Sequence, residues 1–141
     1  MPKTLSRNAT TVERMQQAFN DRDFDAMDAC VAEDCVWTDQ ARGMTFKGRA
    51  QVRSEYAEAW ANAFSDGRIT DVRICDGDNT VVAQFVGRGT HDGQLGPLPA
   101  TGKAVTMPFC EIYHFDASGK VIAGESYYDQ LSMLQQLGVA E

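Results

Sequence analysis

The most regular pattern in the chain is an alternation of apolar and polar side chains between residues 104 and 115. Period-two alternation places every second side chain on one face of a β-strand. On this strand, that face carries Val105, Met107, Phe109, Glu111, Tyr113 and Phe115. A carboxylate on an otherwise apolar face is paired, hydrated or functional. Glu111 is therefore the first candidate for a functional residue.

Helical spacing predicts two helices near the N-terminus. Apolar residues recur three and four apart over residues 8–20, and Thr10 or Thr11 is the expected N-cap. A second, short helix is expected from Asp23 to Val31.

The clearest helix is expected after Gly48. Its apolar stripe has members four residues apart, namely Val52, Tyr56, Trp60 and Phe64. Residues 65–67, with the sequence SDG, should end it. Ahead of this helix, the segment CVWTDQ indicates a strand that starts near Asp34.

Four further strands are expected in the second half of the chain. Their segments are RITDVRIC, NTVVAQFVGRGTH, KAVTMPFCEIYHF and KVIAGESYY, followed by the helix-like tail DQLSMLQQLG. Helices come first and a strand meander comes last, so the predicted fold class is α+β. A curved antiparallel or mixed sheet, with the N-terminal helices on its concave face, would form a cone with a pocket for a small ligand.

Composition narrows the functional classes. The 141 residues fit one domain over 1–141, and a net charge of -7 argues against a nucleic-acid partner. The 13 Lys and Arg residues do not cluster, so no anionic membrane partner is expected either. The N-terminus has no apolar signal core, which makes the cytoplasm the expected location.

Motifs for cofactors are not found in the sequence. The four cysteines lack the spacing of a metal site, and free thiols are favoured over a disulfide, which spacing alone leaves open. The glycine-rich stretches GRGTHDG and GQLG match no nucleotide-binding loop, and no G-x-S-x-G elbow occurs. Neither a cofactor nor a metal is expected.

Several segments together resemble a known family. They are the GTH-x-G turn, the PATGK approach to a long strand, the EIYHF strand, the YYDQ segment and the closing LSMLQQLG tail, with weaker likeness in GRAQVRSEYAEAW and VWTD. With this element order, the chain resembles the SnoaL-like branch of the nuclear-transport-factor-two-like superfamily, which includes the polyketide ester cyclases. The resemblance implies a cystatin-like, ketosteroid-isomerase-like cone and a homodimer. The expected outer sheet face carries apolar residues to cover, such as Val82, Val86 and Ile112.

The same resemblance implies an acid–base site. In the ester cyclases, an Asp on the last strand and a His on the neighbouring strand are thought to move protons in an intramolecular aldol closure. Their pattern W-D-x-x-D-Q, set against GESYYDQ, places the second acid on Asp129 and the first on Ser126. The position of the partner histidine falls near Glu111. The family pair is therefore not reproduced residue for residue.

Glu111 has two interpretations. In the structural interpretation it is a strand acid that is paired across the hairpin with an Arg or Lys, or one whose neighbours are less buried than periodicity implies. In the functional interpretation it is a general base whose pKa is raised by apolar surroundings. A base of the second kind can remove a proton next to a carbonyl group and return it elsewhere.

Four other polar residues have a structural and a functional interpretation. Asp129 is either an N-cap of the terminal helix or a residue at the pocket rim. Asp39 is a solvated strand end or a second pocket acid, and His91 is hydrogen-bonded to a loop carbonyl or faces the pocket near Glu111. His114 has the opposite parity from Glu111 and is expected on the outer face.

The predicted site combines these residues with aromatic side chains. The candidate catalytic residues are Glu111, Asp129, His91 and Asp39, and the candidate substrate-binding residues are Trp37, Tyr56, Trp60, Phe109, Tyr113 and Tyr127. Aromatic residues at these spacings serve either as core or as ligand contacts, and Tyr hydroxyls could bind an enolate oxygen. The favoured function is a cofactor-independent cyclase or isomerase acting on a small apolar carbonyl compound. The alternatives are a hydrolase that uses an activated water and a non-catalytic, ligand-binding dimer module.

Overall fold

A computed structural model describes residues 5–141, so residues 1–4 of the predicted domain lie outside the described part. The fold is α+β, as predicted. The helices are α1 (Arg7–Asp21), α2 (Phe24–Asp28), α3 (Arg49–Gln51), a π-helical segment (Val52–Ala57), α4 (Glu58–Ala63) and α5 (Gln130–Gln136). The strands are β1 (Val31–Asp39), β2 (Met44–Lys47), β3 (Arg68–Gly77), β4 (Thr80–Thr90), β5 (Ala104–Phe115) and β6 (Val121–Tyr127). Within the described residues, no helix is long and apolar enough to cross a membrane.

The six strands form one mixed sheet in the order β2-β1-β6-β5-β4-β3. β1 and β6 run parallel, and all other neighbours are antiparallel. One face of the sheet is buried by two helices. They are α1 and the long helix, which consists of α3, the π-helical segment and α4. The alternation predicted for β5 is confirmed, because Val105, Met107, Glu111, Tyr113 and Phe115 are all buried.

The ends of the first elements differ from the predicted ones. The N-cap of α1 is Ser6, whose hydroxyl accepts from the Ala9 amide at 3.1 Å, so the prediction of Thr10 or Thr11 was wrong. Ser6 is also held by Asp76, which adds a tertiary contact that local spacing does not reveal. α2 ends at Asp28, since the chain is already extended in β1 from Val31 onward.

The long helix contains a wide turn that the sequence pattern hints at. Residues Val52–Ala57 are π-helical, and the segments before and after them are α-helical. Residues four apart drift around an α-helix, and a π-helical turn, with its i→i+5 bonding, reduces that drift. The stripe predicted from Val52 to Phe64 therefore stays directed at the sheet, and the buried Tyr56 lies inside the wide turn.

Candidate active site

A cavity of about 150 Å³ lies between the concave face of the sheet and the helices. Most of its walls are apolar, for example Phe19 of α1, Trp60 of α4 and Phe109 of β5. A cavity of this volume accepts a ligand of about the size of benzene. Glu111, Gln16, Tyr56 and Tyr113 bring polar groups to the walls.

The Glu111 carboxyl group accepts hydrogen bonds at both oxygens. Oε1 accepts from the Tyr113 hydroxyl at 2.6 Å and from Gln16 Nε2 at 3.4 Å. Gln16 Nε2 also donates to the Tyr113 hydroxyl at 2.8 Å, which aligns that hydroxyl toward the carboxyl group. Oε2 lies 3.0 Å from Ser126 Oγ and 3.1 Å from the Tyr56 hydroxyl.

Tyr56 and Ser126 are also hydrogen-bonded to each other, so three oxygen atoms share a small number of protons. Ser126 Oγ accepts from Trp37 Nε1 at 2.9 Å, which leaves the hydrogen of its own hydroxyl free to point toward Glu111 or Tyr56. When Glu111 is ionised, the two hydroxyl hydrogens serve three oxygen–oxygen contacts. A proton on Glu111 supplies a hydrogen for the third of these contacts, which join Glu111 Oε2, Tyr56 and Ser126. The network therefore accommodates both protonation states of Glu111.

Burial is the largest influence on the acidity of Glu111. It raises the pKa of the carboxyl group, and the hydrogen bonds from Tyr113, Ser126, Tyr56 and Gln16 oppose this effect. The ion pairs found within residues 5–141 do not involve Glu111, so the predicted alternative of a pair with Arg or Lys was wrong. The pKa values of Tyr56 and Tyr113 lie well above the usual value, mainly through burial, so both remain hydrogen-bond donors.

Strand register explains how these groups meet. Glu111 of β5 is directly opposite Ser126 of β6, and Trp37 of β1 is opposite Gly124. A Cβ atom on Gly124 would lie 2.0 Å from the Trp37 ring. The absence of a side chain at Gly124 therefore lets the indole cross β6 and reach Ser126.

Asp39 forms a second buried polar cluster beside the first. Its side chain is 0% exposed, and it accepts from Arg42 Nε at 2.7 Å and from the Tyr128 hydroxyl at 2.9 Å. The interpretation of Asp39 as a solvated strand end was wrong, because the turn after β1 folds Arg42 back over it. The guanidinium carbon of Arg42 lies 5.0 Å from the centre of the Trp60 ring.

His91 and Asp129 do not meet Glu111. His91 is buried just past β4, where its Nδ1 accepts from the Thr101 amide at 3.2 Å. It follows Ala83, the strand partner of Glu111, by eight residues, a path of roughly 26 Å along the extended chain. Asp129 is exposed and caps α5 by accepting from the Ser132 amide at 3.1 Å. Neither residue lines the cavity with Glu111, and Asp129 is the N-cap of the terminal helix, as its structural interpretation predicted. His114 lies outside the cavity, where its Nε2 is 3.0 Å from Glu125.

Five of the six predicted aromatic residues line the cavity: Trp37, Tyr56, Trp60, Phe109 and Tyr113. Tyr127 does not, since it is 43% exposed and its partner in β5 is the outward-facing Cys110. Tyr128 takes the inner position, with its ring 4.8 Å from that of Phe109 and 5.7 Å from that of Trp60.

Sequence reasoning missed Gln16, Arg42 and Tyr128. Gln16 follows Val12 by four residues, so it is a polar residue on the apolar face of α1, the same kind of signal that identified Glu111. Tyr128 follows Ser126 by two residues and shares its strand parity. Arg42 has no such signal, because its position depends on the short strand β2, which periodicity does not reveal.

Comparisons with known proteins agree with this architecture. Residues 12–123 match the sequence model of the SnoaL-like domain family. No curated protein sequence matches the chain significantly.

Solved structures of the same fold are numerous. A proposed polyketide cyclase from Xanthomonas campestris is 24% identical with a TM-score of 0.82, covering 93% of this chain and 96% of that one. A proposed SnoaL-like polyketide cyclase from a Jannaschia species is 18% identical with a TM-score of 0.87, covering 100% and 99%. A Catenulispora acidiphila protein with a ketosteroid isomerase-like fold, in complex with trimethylamine, is 19% identical with a TM-score of 0.76, covering 92% of each chain. At these identities the likeness concerns the fold.

Proposed function

The chain belongs to the SnoaL-like domain family, and we propose that it catalyses proton transfer at carbon on a small, mostly apolar carbonyl compound, with Glu111 as the general base. The observation that carries the proposal is a buried carboxyl group on the cavity wall whose hydrogen-bond partners are all neutral. A carboxylate with a raised pKa is a stronger base than an ordinary glutamate, which suits it to abstract a proton from carbon.

The reaction needs one group that takes a proton and later returns it. Glu111 accepts the proton from the carbon next to the carbonyl group, and the electron pair of the broken C–H bond moves to the carbonyl oxygen, giving an enolate. Return of the proton to another carbon gives an isomer. Attack of the enolate carbon on a second carbonyl group closes a ring, and Glu111 then protonates the new alkoxide. Both outcomes use the same residues and leave Glu111 as it began.

The size of the cavity limits the substrate class. A volume of about 150 Å³ fits a compound with one ring. We therefore favour a monocyclic or short-chain ketone over a multi-ring polyketide, although two of the structural neighbours are described as proposed polyketide cyclases.

The test is deuterium exchange at the carbons next to the carbonyl group of cyclohexanone in D2O, followed by NMR. Wild-type protein should accelerate the exchange, and Glu111→Gln should lower the rate by about 10²-fold to 10⁴-fold, the usual contribution of a general base. Glu125→Gln is the matched control, because Glu125 is a partly buried glutamate of the same sheet that pairs with His114 outside the cavity. Equal exchange rates in wild type and Glu111→Gln would exclude Glu111 as the base.

A non-catalytic ligand-binding module is the second candidate. It is favoured by the fact that each Glu111 oxygen has two hydrogen-bond partners, an arrangement that also suits a structural acid. In that case cyclohexanone would bind without any acceleration of exchange.

The proposal includes a homodimer and a cytoplasmic location. The dimer is supported by exposed apolar residues on the sheet, such as Val36 and Ile122, which are 37% and 39% exposed. The cytoplasm is supported by the four cysteines, all of which are free thiols.

A further inference from the structure

The ionised form of Glu111 is a buried charge without a cationic partner. Its two oxygens contact only hydroxyl and amide groups, which stabilise the charge in part but do not neutralise it. Buried charges in proteins are normally paired or bind a metal ion. Within the described residues, Glu111 belongs neither to an ion pair nor to a cluster of side chains that could hold a metal ion. An organic cation in the cavity would supply the missing charge.

The hydrogen bonds of Glu111 restrict the kind of cation. An ionised carboxylate offers about four acceptor positions, and here they face Tyr113, Gln16, Ser126 and Tyr56. A primary ammonium group has three N–H donors, which would find no free position on this carboxylate. A quaternary ammonium group has no N–H to satisfy. Its charge attracts the carboxylate across a few ångströms without a hydrogen bond, because apolar surroundings screen charges weakly.

The walls of the cavity suit such a cation. Eight aromatic side chains line it, contributed by α1, the long helix and its end, β1, β4 and β5: Phe19, Tyr56, Trp60, Phe64, Trp37, Phe85, Phe109 and Tyr113. The faces of aromatic rings attract cations, and groups of such rings commonly bind quaternary ammonium compounds. A neutral apolar ligand would pack against the same rings but would leave the charge of Glu111 uncompensated.

Four arginines also border the cavity, and two of them belong to the long helix. Arg53 is bound by three carboxylates, so its charge is already compensated. Arg49 donates to the carbonyl oxygen of Val31, whose partner in β6 lies five residues before Ser126, a separation of roughly 16 Å along the strand. Since Ser126 is the strand partner of Glu111, Arg49 is held at the far end of the cavity.

The other two arginines, Arg68 and Arg88, are opposite each other in β3 and β4. Arg88 has the parity of Gln84, an exposed residue of β4, so both arginine side chains leave the sheet on its outer face. Arg88 is also bound to Asp71 at 3.1 Å. No arginine at the cavity is therefore available as a partner of Glu111.

We propose that the cavity binds a small quaternary ammonium compound, with Glu111 as its counter-ion. The inference goes beyond the proposed function, because it concerns binding and needs no proton transfer. A trimethylammonium group is compact enough for a cavity of about 150 Å³. The bound cation would keep Glu111 ionised, since the charge pair stabilises the carboxylate and not the protonated acid.

Choline and 3,3-dimethylbutan-1-ol provide the test, because the alcohol has a carbon atom in place of the choline nitrogen and therefore the same shape without the charge. Occupancy of the cavity is followed by the two indole signals of a ¹⁵N–¹H correlation spectrum, since both tryptophans line it. At pH 8, choline should bind at least about tenfold more tightly than the alcohol.

Three variants separate charge from packing. Glu111→Gln removes the charge at nearly constant size, so choline should bind about tenfold more weakly, while the affinity for the alcohol changes less than twofold. Glu111→Asp alters the packing but keeps the charge, and should retain a preference for choline of about threefold or more. Glu125→Gln is the matched control, because it removes the same charge outside the cavity and should leave both affinities unchanged. Thermal unfolding of each variant is measured in parallel.

Four results would overturn the inference. They are equal affinities for choline and the alcohol, a preference for choline that persists in Glu111→Gln, a preference that is lost in Glu111→Asp, and no indole shift with either compound at millimolar concentrations. None of these readouts uses exchange activity. A Glu111-dependent preference in a protein without exchange activity would reject the proposed function alone, and exchange activity without such a preference would reject only this inference.

Discussion

Removal of the Tyr113 hydroxyl is the most direct perturbation of the Glu111 network. In Tyr113→Phe the ring remains, so its edge-on contact with Trp37 at 5.2 Å is preserved and only the donor to Glu111 at 2.6 Å is lost. A hydrogen bond to a charged group contributes about 1.5–3 kcal/mol, and its loss penalises the ionised carboxylate. The acid dissociation constant of Glu111 should therefore fall about tenfold to hundredfold, because 1.4 kcal/mol corresponds to a factor of ten.

The change in acidity can be measured at the residue itself. Carbon-13 labelling of glutamate carboxyl groups gives one titration curve per glutamate, and Glu111→Gln identifies the relevant signal. Tyr127→Phe is the matched control, since Tyr127 is a 43% exposed tyrosine on β6 outside the cavity. The control should leave the curve of Glu111 unchanged. Unchanged or increased acidity of Glu111 in Tyr113→Phe would refute the assignment of this hydroxyl as its donor.

The same variant has a predicted pH dependence of stability. Burial raises the pKa of Glu111 in the folded protein, so the folded state holds more protons than the unfolded state above the ordinary pKa of the carboxyl group. Stability contributed by this group therefore falls as pH rises through that window and is constant above the folded pKa. Tyr113→Phe raises the pKa of Glu111 in the folded protein further, so the pH range over which stability falls extends to higher pH. The unfolding free energy of the variant, relative to wild type, should therefore be reduced more at pH 8 than at pH 5, as measured by urea titration.

Three further predictions concern packing, charge and assembly. Gly124→Ala places a methyl group 2.0 Å from the Trp37 ring and should cost about 1–3 kcal/mol or more in urea unfolding; a neutral result would mean that the ring is not fixed there. Asp39→Asn leaves the Arg42 guanidinium without its charge partner and should lower unfolding free energy by about 3–5 kcal/mol, an effect that high salt should not abolish. Light scattering should give the mass of a dimer at micromolar concentration, and Ile122→Glu, on the exposed sheet face, should shift it to a monomer; a monomeric wild type contradicts the dimer.

The fold and the central acid were predictable because they depend on periodicity. The alternation around Glu111 spans a strand of twelve residues, and all its neighbours on that face are apolar, so its inward direction follows from the pleat alone. The same reasoning explains the error at Tyr127. Parity counted from Ser126 points to Tyr128, and the resemblance to the family motif drew attention to the tyrosine pair without deciding between its members.

The hydrogen-bond partners were not predictable to the same degree. Gln16 is 95 residues from Glu111 in the chain, and Arg42 acts through a turn set by the short strand β2. Such pairs depend on the curvature of the sheet and on the packing of α1, which a local pattern does not encode. The error at Asp39 has the same origin. The sequence pattern predicts a solvated acid at the end of the strand, because it does not show that the following turn places the Arg42 guanidinium against it.

The contrast between the two buried carboxyl groups explains why Glu111, and not Asp39, is the one suited to move a proton. Asp39 faces a guanidinium at 2.7 Å, so the fold compensates its charge with another charge, and protonation would break that pair. Glu111 faces only hydroxyl and amide donors, which stabilise its charged form through hydrogen bonds and tolerate its neutral form. A carboxyl group held in this way can gain and lose a proton without leaving an unpaired ion behind. Such a cycle is what an acid–base catalyst requires.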